Sequence, residues 1–102
     1  MIKATISPEW IRLDGHAGSG PYGHDIVCAA VSGLVQTFVI AVDSLTTDNL
    51  EKAVEPETGQ IRALVWGEAP SEKTKLLADA MWLGLLAIAR DYPENLKTEI
   101  FG

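Results

Sequence analysis

Apolar and polar positions alternate from the start of the chain. Ile2, Ala4 and Ile6 take turns with Lys3, Thr5 and Ser7, a period of two that predicts a strand. SPE at Ser7–Glu9 is a turn, and WIRLDG resumes the alternation as a second strand that ends near His16. AGSGPYG, residues 17–23, reads as loop. Asp25 then offers an N-cap carboxylate to a helix from about Ile26 to Val42. This helix is apolar on nearly every side and is therefore expected to be covered on nearly every side. PETG at Pro56–Gly59 marks a hairpin turn between a short strand around Lys52–Val54 and the stronger strand QIRALVWG. Ser71 caps a second helix, whose apolar stripe includes Leu76, Leu77, Met81, Leu85 and Ile88. Arg90 suits its carbonyl end, Pro93 stops it, and LKTEIF follows as a final strand.

The order is ββαββαβ, an α/β (α+β) fold with a small mixed sheet of about five strands and two helices. One domain spans residues 1–102, since the chain is long enough for one compact core and too short for two. So small a sheet cannot surround the first helix. Either the second helix covers it on the same sheet face, or another copy of the chain does; a homodimer is the favoured expectation.

Charge narrows the partners. The formal charge is −6 at pH 7, and the eight Lys and Arg residues are scattered. Nucleic acid is thereby disfavoured as a direct partner, because phosphate binding needs clustered cations, and a basic partner is favoured. A single cysteine builds no disulfide framework and fits a reducing compartment. MIKATISPEW alternates and lacks an apolar run, so no signal peptide is expected there. The uncharged run from Ile26 to Val42 approaches the roughly 20 residues that span a bilayer. Ser32, Gln36 and Thr37 interrupt it, Asp25 and Asp43 flank it, and no cation lies close by to orient it. A buried helix is expected, and no membrane.

Both histidines and the lone cysteine fall between Gly15 and Gly33. A helix beginning at Ile26 makes Cys28 its third residue, where free N–H groups and the helix dipole favour a thiolate. His16 ends a strand that leads through the loop into that helix, and such strand ends and helix starts share one edge of a sheet. An imidazole there can take the thiol proton. The same residues also read as a small core hydrophobe and a surface histidine. His24 is the rival base, one turn before Cys28. Ser32, one turn after it, either bonds the sulfur or substrate or bonds back to a helix carbonyl. Asp25 either caps the helix or orients an imidazole. Gly18, Gly20 and Gly23 suit a lid or a long turn. One Cys and two His supply no recognisable metal spacing, so neither metal nor cofactor is expected.

GHA, a glycine-containing loop and then G-x-DIVCAAVS resemble the ribosomal-processing cysteine protease family, Prp. The His-to-Cys spacing, the Asp three before the Cys and the Ser four after it match together. The resemblance implies a cytoplasmic, homodimeric bacterial endopeptidase with a Cys/His dyad and no cofactor. Its implied substrate is ribosomal large-subunit protein twenty-seven, from which it removes an N-terminal extension. Carried over by position, Cys28 is the nucleophile and His16 the general base. Gly15, Gly23, Asp25 and Ser32 line the substrate site, and Ala17–Gly23 order over the peptide. Two other readings use the same residues: a non-enzymatic peptide-binding factor in ribosome assembly, or a thiol redox sensor.

Overall fold

The alternating strands build a sheet whose two faces differ in chemistry. The computed structural model describes residues 1–15 and 26–102. Its elements are β1 (Ile2–Ile6), β2 (Trp10–Gly15), α1 (Ile26–Leu45), β3 (Glu51–Val54), β4 (Ile61–Val65), α2 (Glu72–Asp91) and β5 (Leu96–Ile100). The strand order is β3-β4-β2-β1-β5. All pairs are antiparallel except β1 with β5. The ββαββαβ order and the mixed sheet are those read from the sequence.

Register sorts the side chains. Ala4 faces Leu13, Ile6 faces Ile11, Ile11 faces Leu64 and Ile2 faces Leu96, so these residues share one side of the sheet. They form a single core with Val27, Val31, Val35, Phe38 and Val42 of α1 and with Ala78, Met81 and Leu85 of α2. Both helices therefore lie on the same face. Along the opposite face run Lys3, Arg12, Asp14, Lys97 and Glu99, with Lys3 Nζ 3.1 Å from Glu99. The helices approach closely where α2 carries Gly84: a Cβ there would stand 2.8 Å from Leu34 Cδ1.

Two expectations about α1 change. The helix runs on to Leu45, past Val42, because nothing breaks it before Thr46. Thr46 there turns both its N–H and its hydroxyl onto the Val42 carbonyl. Nor is α1 covered on nearly every side within one chain: Ile26, Ile40 and Leu45 remain 58–64% exposed. Its length and composition would suffice to cross a bilayer, yet its valine stripe is committed to the sheet.

Helix α2 begins as its sequence indicates, with Ser71 Oγ accepting from Thr74 N–H at 3.3 Å. A second anchor lies far away in sequence. Asp48 Oδ2 accepts from Ser71 N–H at 2.9 Å, Ser71 Oγ at 2.7 Å and Thr74 Oγ1 at 2.6 Å. A carboxylate at this helix N-terminus also complements the dipole. The Thr74 hydroxyl foremost, then the Ser71 hydroxyl and N–H, hold the Asp48 carboxyl below its ordinary pKa.

A depressed carboxyl pKa adds stability above the unfolded-state value, and that stability fades as pH falls through the folded-state value. Asp48→Asn should therefore melt below the wild type at pH 7, with the difference shrinking as the solution is acidified toward pH 2. Thermal unfolding followed by circular dichroism across this range checks the sign.

Candidate active site

Cys28 owes its position to the stripe beside it. Val27, Val31 and Val35 recur at helical spacing and are buried against the sheet. Cys28, Ser32 and Gln36 form the adjacent row and line a cleft at the border between helix and sheet. The thiol is thus half-buried and open to that cleft, and the reading of Cys28 as a sealed core residue is set aside. Ser32 stands where the sequence expects it, one turn further along the same wall.

Gly15 lines the cleft as well, so the end of β2 and the start of α1 share one edge. Gly15 adopts a left-handed φ of +84°. A Cβ built on it would collide with the Met1 carbonyl oxygen, which is backbone and has nowhere to go. Glycine is required here on both counts. His16, Gly23, His24 and Asp25 lie outside the described residues.

The third wall comes from the β3–β4 hairpin, which the sequence reading did not assign to the site. β2 and β4 pair from Trp10–Val65 to Arg12–Ala63, and beyond that pairing Gly15 and Gln60 line the same cleft. The Gln60 side-chain amide donates to Cys28 Sγ at 3.5 Å. Arg62 Nη1 donates to the Gly15 carbonyl at 3.2 Å, while its Nε lies 3.5 Å from Glu55 Oε2. An ion pair so exposed adds little stability, but it fixes the guanidinium that holds the strand end preceding His16. No local motif marks Gln60 or Arg62. Only the pairing of β4 with β2 brings them to Cys28.

The cleft therefore joins a thiol to amide and hydroxyl groups and to the apolar side chains of Val31, Val35 and Ile61. That mixture suits an extended peptide, whose backbone needs polar partners and whose side chains need apolar ones. Among the described residues, no three His, Cys, Asp or Glu side chains gather where they could share a metal ion.

Comparison with known proteins agrees with this arrangement. Residues 1–97 match the family model described as cysteine protease Prp. The ribosomal processing cysteine protease Prp of Staphylococcus aureus is 32% identical, over 94% of this chain and 93% of its own. A crystal structure of the S. aureus protease with a covalently linked product peptide superposes with a TM-score of 0.91 at 27% identity, covering 99% of this chain and 100% of that one. A second, with a substrate peptide, has a TM-score of 0.85 at 26% identity, with the same coverage.

Replacing Gly15 tests the strand end. Gly15→Ala should lose about 1–3 kcal/mol of stability through the strained backbone alone, read as a lower urea midpoint at unchanged slope. Peptide cleavage should fall further than the folded fraction does, because Gly15 itself lines the cleft.

Proposed function

The chain belongs to the Prp family of cysteine proteases, and from that premise we propose that it cuts the N-terminal extension from ribosomal large-subunit protein twenty-seven by means of a Cys28/His16 dyad. The observation that carries the proposal is a half-buried thiol opening onto a cleft whose rim includes Gly15, the residue before His16. The relatives' description as ribosomal processing proteases supports the substrate class. So does charge: a chain of formal charge −6 attracts a basic ribosomal protein.

In this reading His16 takes the thiol proton as Cys28 Sγ attacks the scissile carbonyl carbon. The new C–S bond uses a sulfur lone pair, and the carbonyl π pair moves to oxygen. Collapse of that intermediate re-forms the carbonyl and breaks the C–N bond, and the departing amine receives the proton from His16. Water, deprotonated by His16, then attacks the thioester and expels the thiolate. Gly23, Asp25 and Ser32 complete the substrate site. No cofactor enters the sequence of steps.

Cytoplasmic location follows from this substrate. A homodimer is part of the same proposal, because Ile40, Leu76 and Leu83 leave apolar surface 64–70% exposed on the two helices.

A peptide carrying the extension should be cleaved by the wild-type protein. Cys28→Ala should lose at least about a thousandfold in rate, and His16→Ala about 10²–10⁴-fold. An intact peptide with the wild type, or equal cleavage by Cys28→Ala, would falsify the reading. Binding without cleavage by both proteins would leave a peptide-binding factor instead. Sedimentation velocity at micromolar concentration should show a dimer; a lone monomer boundary would remove that part.

A further inference from the structure

We propose that Gln60 is a catalytic residue, its side-chain amide donating a hydrogen bond to the oxyanion formed when Cys28 attacks the substrate carbonyl. The inference rests on the proteolytic reading above and assigns a part in it to the β3–β4 hairpin.

The hairpin holds Gln60 firmly. Glu55 N–H donates to the Gln60 carbonyl and Gly59 N–H to the Glu55 carbonyl, each at 2.8 Å. Gly59 permits this tight turn through a φ of +73°. Arg62 then joins the hairpin to the end of β2. Leu64 of β4 enters the core under the helices, and Gln60, Ile61 and Arg62 line the cleft at its edge. The amide therefore emerges from a rigid turn and meets the first turn of α1, 3.5 Å from the sulfur.

Stability does not explain that contact. Gln60 is half-exposed, so water could satisfy its amide, and a thiol sulfur is a weak acceptor. A donor aimed beside a nucleophile is matched to what the nucleophile creates. As the C–S bond forms, the carbonyl π pair moves onto the oxygen, one bond from the carbon attached to sulfur. An amide already touching the sulfur needs only a small rotation to reach the distance of about 2.7–3.1 Å that stabilises such an oxygen. When the carbonyl re-forms and the amine leaves, the charge disappears and the bond weakens. The donor thus favours the transition state over bound substrate.

The test compares wild type, Gln60→Ala and Gln60→Met in hydrolysis of the extension peptide and in alkylation of Cys28 by iodoacetamide. Alkylation forms a C–S bond and expels iodide without creating an oxyanion, so it separates nucleophile from oxyanion effects. Both variants should lose about 10²–10³-fold in kcat, with KM, melting temperature and alkylation rate close to wild type. Retained kcat in both variants would overturn the assignment. So would alkylation slowing in parallel with hydrolysis, which would make the amide a support for the nucleophile only. If the wild type itself leaves the peptide intact while alkylating normally, the protease reading falls and this inference with it.

Discussion

One seam of side chains orients everything in the site. Val27, Val31, Val35, Phe38 and Val42 fix the rotation of α1 about its axis by burial against Ile2, Ala4, Ile11, Leu13 and Leu64. Burying each large apolar side chain is worth about 1.5–3 kcal/mol, far more than any polar contact around the cleft. Once the seam is seated, the row one residue further round has no freedom left: Cys28, Ser32 and Gln36 must face the border of the sheet. A turn of the helix large enough to bury or fully expose the sulfur would pull valines out of the core. The core thus holds the Cys28 thiol in place by packing.

The polar contacts act on a finer scale. Arg62, paired with Glu55, ties the Gly15 carbonyl to the hairpin, and Gln60 reaches the sulfur from the same turn. The two helix N-termini are used differently. The first turn of α2 carries Glu72, Ser71 caps it, and Asp48 anchors it. The first turn of α1, among the described residues, carries no acidic residue and instead places Cys28 on the cleft. The α2 end is tied into the fold by Asp48, whereas the α1 end opens onto the cleft.

The apolar surface left on the helices belongs to the same economy of layers. A sheet of five short strands has one face to offer, and both helices occupy it. Each helix buries its sheet side and its contact with the other. The remainder, including Ile40, Leu76 and Leu83, stays at the surface of the single chain.

Local pattern fixed the elements. Period-two alternation marked β1 and β2, PETG marked the hairpin, and Ser71 marked the start of α2, because strand geometry, turn chemistry and capping depend on residues a few positions apart. The motif from Gly15 to Ser32 likewise singled out Gly15, Cys28 and Ser32, which line one cleft because the end of β2 and the start of α1 share one edge. Tertiary structure alone decided the strand order, the sharing of one sheet face by two helices, and the third wall of the cleft. Asp48 reached α2, and Gln60 and Arg62 reached the site, through pairings between segments tens of residues apart. Such pairings are set by which apolar faces can be buried together, and no short window of sequence contains that competition.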